Sequence, residues 1–146
     1  MENTGQNLGN HVRWDPPYHF VMTPILMLNV LWTAYKLWGN PGLDGVVALV
    51  VAIALAMLGL YARVNALRAQ DRVIRLEEHL RYQRVLPAEL AKQAIASLSV
   101  AQIIGLRFAA DGELADLVSK TLSGTLTAQA DIKKAIRNWR GDYVRV

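Results

Sequence analysis

At 146 residues the chain holds one ordinary domain, or a membrane anchor with a small soluble unit. Its 16 basic and 12 acidic residues give a formal net charge of +4, and the absence of cysteine excludes disulfides, thiolate metal sites and thiol nucleophiles. The mean hydropathy of +0.18 averages two unlike halves. Only Arg13 and Lys36 of the basic residues precede Tyr61, so the part beyond it carries the whole positive excess and is drawn to anionic lipid or acidic partners.

Residues 1–18 read as a polar juxtamembrane segment without a basic-then-apolar leader, so a cleaved signal peptide is not expected. His11, Asp15 and His19 lie four apart, the spacing that gathers metal ligands on one helix face. Pro16 and Pro17 interrupt a helix through them and only three ligands are offered. The expected role is an interfacial cluster of aromatic and polar groups, with no metal and no cofactor.

Residues 19–63 form the expected transmembrane hairpin, with spans at about 20–37 and 45–63. The first span is uncharged from Phe20 through Tyr35. Trp14 and Tyr18 bracket one end and Tyr35 and Trp38 the other, as rings do that are apolar at one side and hydrogen-bonding at the other. Pro24 sits near the start, where a missing N–H costs little. Gly39 to Gly45 (GNPGLDG) is a turn sequence, short enough to force an antiparallel hairpin. The second span, Val46 to Ala62, carries no charge. Basic residues collect at the end with the termini (Arg13, Arg63, Arg68, Arg72, Arg75), which places both termini in the cytoplasm. For helix packing the candidates are Asn29 on the first span and the small residues Ala48, Ala52, Ala56 and Gly59 on the second.

No glycine or proline falls between Gly59 and Pro87, and the stretch between is rich in helix formers. The second span therefore continues as one helix through residues 64–86, about 40 residues and roughly 60 Å in all, until Pro87 ends it. Opposite charges recur at helical spacing, Asp71 with Arg75 and Glu77 and Glu78 with Arg81. Leu60, Val64, Leu67 and Ile74 mark one apolar line, and Ala69, Val73, Leu76 and Leu80 another. Arg68, Asp71, Arg72, Arg75 and Glu78 are the candidate partner contacts, and His79 reads as a solvated residue among charges.

Residues 87–146 read as a small helical tail. One helix spans 88–97; a capping box, Ser99 with Gln102, opens a second whose apolar face is Ile103, Ile104, Leu106 and Phe108. Asp111-Gly112 breaks the chain and caps a third, with Leu114, Leu117, Val118 and Leu122 inside. Gly124 and Thr127 separate it from a last helix, 128–139, with Ile132, Ala135, Ile136 and Trp139 on one face and basic residues on the rest. That face either packs on the preceding helices, the favoured reading, or lies on the anionic inner leaflet with Trp139 at headgroup level; the candidate membrane-interface residues are then Trp14, Tyr18, Tyr35, Trp38, Arg63 and Trp139.

Nothing in the chain specifies a reaction. The serines lack a nucleophile-elbow pattern, Glu77 and Glu78 are adjacent and point to different faces, and no phosphate-binding glycine loop is present. Basic charge without stacking aromatics gives no case for nucleic acid.

The run Ala62 to Glu78 (ARVNALRAQDRVIRLEE) resembles an uncharacterised bacterial family of two-transmembrane-helix proteins, known only as a domain of unknown function. Asn10 to Pro17 (NHVRWDPP), Ile104 to Ala109 (IGLRFA) and Ile132 to Trp139 (IKKAIRNW) are similar to it as well. The resemblance spans nearly the whole chain; it implies two spans and a helical tail in a bacterial inner membrane, and carries no activity or site residue. The resulting expectation is an all-α, multi-pass protein of the bacterial inner membrane that is not an enzyme. It acts as a scaffold, accessory or assembly subunit through its cytoplasmic tail. Its partners are the lipid bilayer, another membrane or cytoplasmic protein and, as a further candidate, a second copy of itself. A membrane-tethered sensor of lipid charge or a small ligand is the alternative.

Overall fold

The computed structural model describes residues 5, 7–10 and 15–142. Trp14 and His11 lie outside them. The described chain is all-helical: a π-helical turn at Pro17–Met22 runs into α1 (Thr23–Gly39), followed by α2 (Leu43–Val85), α3 (Ala88–Ser97), α4 (Val100–Leu106), α5 (Asp111–Leu122) and α6 (Gln129–Ala135). It divides into two compact units, Arg13–Leu67 on the one hand and Met1–Val12 with Arg68–Val146 on the other. α2 contributes to both.

In the first unit the helix begins earlier than the apolar run suggests, with Pro17 in its opening turn. Pro24 is therefore two turns in, where its ring would press on the Phe20 carbonyl and its missing N–H would break the ladder. The wide turn before it meets this need. The Thr23 hydroxyl donates to the Tyr18 carbonyl at 2.8 Å, five residues back. The connection to α2 is shorter than the turn sequence: only Asn40–Gly42 lie outside the helices. Asn40 N–H closes α1 on the Lys36 carbonyl at 3.0 Å, and Val46 N–H reaches Gly42 at 3.1 Å to open α2.

Two helices, Pro17–Gly39 and Leu43–Val85, are long and apolar enough to cross a membrane. α1 has no buried residue at all. Phe20, Leu28 and Leu58 are each about two-thirds exposed, at 65%, 64% and 65%. In water, burying one such side chain is worth about 1.5–3 kcal/mol, so a helix pair showing this much apolar surface suits a lipid surround.

The second unit has a closed core. Tyr82, Phe108, Ile103, Leu106, Leu114 and Ile132 are fully buried there. α2 runs to Val85 without a break, and Pro87 then opens α3 with φ −52° and ψ 141°. Ser99 and Gln102 make the expected capping box: the Ser99 hydroxyl accepts from Gln102 N–H at 3.3 Å and Gln102 Oε1 accepts from Ser99 N–H at 2.9 Å. α4 crosses α6 where Gly105 leaves room, since a Cβ there would stand 3.2 Å from Ile132 Cγ2. Gly124, at φ +80°, ends α5 in a conformation that side-chain-bearing residues rarely adopt.

Two expectations need correcting in this unit. Asp111 does not cap α5; Ala110 holds the cap position and Asp111 is the first helical residue, its carboxylate turned to Arg81. The last helix stops at Ala135 and does not reach Trp139. Beyond it the backbone extends and pairs with the segment after α4: Ala110 N–H donates to Asn138 at 3.0 Å and Arg140 N–H to Phe108 at 2.7 Å. The Glu113 carboxylate completes the stop by accepting from Arg137 N–H at 3.1 Å and Asn138 N–H at 2.9 Å. These partners are far away in sequence, and together they outbid a further helical turn.

Candidate functional site

Helix packing in the first unit uses a slightly different row from the one expected. Ala52 is buried, and Gly45, Ala56 and Gly59 are half-buried, whereas Ala48 is exposed. The reason is geometric. A step of four residues turns 400°, so a pure four-residue ladder drifts about 40° per step. Alternating steps of four and three, as in Gly45, Leu49, Ala52, Ala56 and Gly59, keep to one face. A Cβ at Gly59 would meet Leu26 Cδ1 at 2.9 Å, and one at Gly45 would meet Leu37 Cδ1 at 3.0 Å. Asn29 is half-buried on the same side of α1 as Leu26, Thr33 and Leu37, and its backbone carbonyl accepts from the Thr33 hydroxyl at 2.8 Å.

Rings and charges gather at both ends of this unit. Arg63 lies 3.9 Å from Asp15 and its guanidinium stands 5.7 Å from the Tyr18 ring. At the other end Lys36 reaches over Trp32 at 5.9 Å, and Tyr35 and Trp38 are exposed. His19 turns back on its own helix, with Nδ1 2.9 Å from the Asp15 carbonyl. An apolar groove of about 350 Å³ opens beside Met22, Leu26, Val30, Ala56 and Gly59.

The proposed contact residues of α2 fall into two groups. Arg68, Arg72 and Arg75 are exposed and Asp71 is half-buried. Glu78 is not a surface contact: it is 5% exposed and belongs to an internal ion network. Arg81, equally buried, organises this network. It donates from Nη1 to Glu78 at 3.1 Å, from Nη2 to Asp111 at 2.6 Å and to the Ala109 carbonyl at 2.6 Å, and from Nε to Asp111 at 2.8 Å. Arg140 stands 3.6 Å from the other Glu78 oxygen. Such a fork matches the planar guanidinium and satisfies the Ala109 carbonyl in the segment after α4.

Burial is the largest influence on Glu78 and raises its pKa, while Arg81 and Arg140 pull the other way. Asp111 is exposed and lowered, chiefly by its hydrogen bond from Arg81. His79, read from the sequence as solvated, is half-buried: its Nε2 is enclosed without a hydrogen-bond partner and its ring stands 6.5 Å from Tyr82. That desolvation, with Arg75 nearby, lowers its pKa. Burial raises the Tyr82 hydroxyl strongly.

The apolar side of the last segment points into the core. Ile132 and Ile136 are buried, and Trp139 packs against Phe108 with ring centres 5.1 Å apart and planes tilted by 35°. Arg107 and Lys133 stand 4.6 Å and 5.3 Å from the Phe108 ring. Charges are paired between elements, Arg81 with Asp111 and Arg140 with Glu78, and no cluster of three or more metal-ligating side chains occurs among the described residues.

One family description covers this pattern from end to end, matching residues 1–146. The chain belongs to DUF6526, a family of unknown function. Comparison with curated proteins and with solved structures finds no match. Membership in DUF6526 thus agrees with the resemblance carried by the motifs. It assigns no chemistry to Arg81, Glu78 or any other residue.

The sequence missed the network around Arg81. The Glu78–Arg81 spacing was visible, but an i,i+3 pair looks the same on a wet face as on a buried one. A faint signal existed: Ile74, Tyr82 and Val85 share a helix face with Glu78 and Arg81, and apolar residues on both sides of a charge pair mark a face that meets a core.

Proposed function

We propose that this DUF6526 chain is a non-catalytic membrane protein that works by contact: a scaffold, accessory or assembly subunit. Its hairpin sits in the bacterial inner membrane with both termini in the cytoplasm, and its folded helical unit presents a binding surface there. The observation that carries this reading is the contrast between the two units. Apolar side chains of the first unit face outwards, where only a lipid surround suits them. The second unit uses its buried charges to hold its elements together, Arg81 with Asp111 and Glu78 with Arg140. Its α2 instead presents Arg68 and Arg75 to the outside, both exposed. The basic excess beyond Tyr61 supports the cytoplasmic side.

The test is purification of the tagged full chain from native membranes in a gentle detergent, followed by mass spectrometry. A stoichiometric companion that is lost on replacing Arg68 and Arg75 together by glutamate is the expected result. A chain that comes away free in several mild detergents, or one extracted from membranes by carbonate alone, contradicts the proposal.

A further inference from the structure

The outward side of α2 carries Ala69, Val73, Leu76 and Leu80, with Val73 54%, Leu76 61% and Leu80 60% exposed. These positions follow steps of four, three and four, the spacing of a coiled-coil seam. At about 100° per residue, the stripe centres roughly 140° from the face of Ile74, Glu78, Arg81 and Val85 that meets the core. The unit's own core therefore covers one side of α2 and leaves this stripe on the far side.

We propose that the stripe pairs with the same stripe of a second copy, forming a short parallel two-stranded coiled coil. Two observations select this occupant. Val73 falls at an a position and Leu76 at the following d position, the combination of β-branched a and leucine d that favours two parallel strands. Arg72 then occupies g and Glu77 the e position five residues on, so each copy's Arg72 faces the other's Glu77 on both sides of the seam. Both side chains are exposed. An antiparallel pairing sets g beside g′ and e beside e′ and separates these charges. The next such pair, His79 with Arg84, adds no attraction. The inference rests on the membrane reading in one respect: two copies inserted the same way already lie parallel, and confinement to one bilayer raises their effective concentration.

The test uses the full chain reconstituted into liposomes and a short bis-maleimide. The protein is cysteine-free, so single sites report cleanly. Val73→Cys and Leu76→Cys are expected to give a cross-linked dimer, while Arg68→Cys and Arg75→Cys, off the seam, remain single chains. Equal cross-linking at all four positions, or none at any, overturns the proposal. Arg72→Glu should weaken association about threefold to tenfold, and adding Glu77→Arg to it should restore the pairing. A double exchange that keeps its helicity but does not restore cross-linking overturns the parallel register. Flotation is scored separately: a chain that stays out of the bilayer contradicts the membrane reading, while the cross-linking pattern still decides the seam.

Discussion

Arg81 illustrates how much one side chain can organise. Its guanidinium pairs with Glu78 on its own helix and ties α2 to the segment after α4 and to the start of α5 through the Ala109 carbonyl and Asp111. Removing it leaves a buried carboxylate without its main partner, a loss of about 3–5 kcal/mol. Arg81→Ala is therefore expected to unfold the second unit at markedly lower denaturant than the parent, read by the emission of Trp139 in a background with Trp14, Trp32 and Trp38 changed to phenylalanine. Glu78→Gln should cost less, because Arg81 keeps Asp111 and the carbonyl. The histidine beside this network makes a separate prediction about pH. The folded state holds His79 below its ordinary 6.5, so its contribution is present above that value and fades as pH falls through the lower folded one. Thermal scans between pH 7.5 and 5 should show this loss in the parent and a flatter profile in His79→Gln. Asp111, also lowered, acts the same way near its ordinary 3.8. Glu78, raised above 4.5 by burial, acts in the opposite sense and favours the folded state below that value.

At the scale of elements, glycines and caps set the edges and the close approaches. Gly105 and Gly59 both stand where a Cβ meets a neighbour, but the neighbours differ. At Gly105 it meets the branched Cβ region of buried Ile132 and the Gln129 carbonyl, at 3.2–3.4 Å, and none can swing aside. At Gly59 the nearest atom is the tip of Leu26, which can rotate. Gly105→Ala should thus destabilise by about 1–3 kcal/mol and Gly59→Ala by clearly less, measured by denaturant melts in the same detergent. Ser99→Ala removes a cap worth about 1 kcal/mol. The sequence displays most of these edges directly. Pro87 separates α2 from α3, the Ser99–Gln102 box opens α4 and Gly124 closes α5, each through local chemistry. The end of α6 was hidden for the opposite reason. Its stop is made by Glu113, Phe108 and Ala110, which lie two dozen or more residues away and leave no mark on the local pattern. Ala48 was misplaced because small residues at four-residue spacing look like a ladder until the helical drift is counted.

The molecule as a whole joins two solutions to one problem, the covering of apolar surface. The second unit closes its surface on a core of its own, held by charges that the sequence made look exposed. The first leaves its surface outward, with aromatic and basic side chains gathered at its two ends, Tyr18 and Arg63 at one and Trp32 and Lys36 at the other. The hairpin was legible because two apolar runs and a Gly-Pro turn are strong, short-range signals. The candidate contact surface was only half legible, since exposure separates Arg72 from Glu78 and exposure follows from packing. The central claim is that this hairpin lies in the membrane with the turn outside and both termini in the cytoplasm. It is tested most directly by placing a single cysteine at Asn40 or Ala128, both exposed, and treating intact cells with a membrane-impermeant maleimide. The account predicts labelling of Asn40→Cys in intact cells, and of Ala128→Cys only after the membrane is opened. Labelling of Ala128→Cys in intact cells would contradict it.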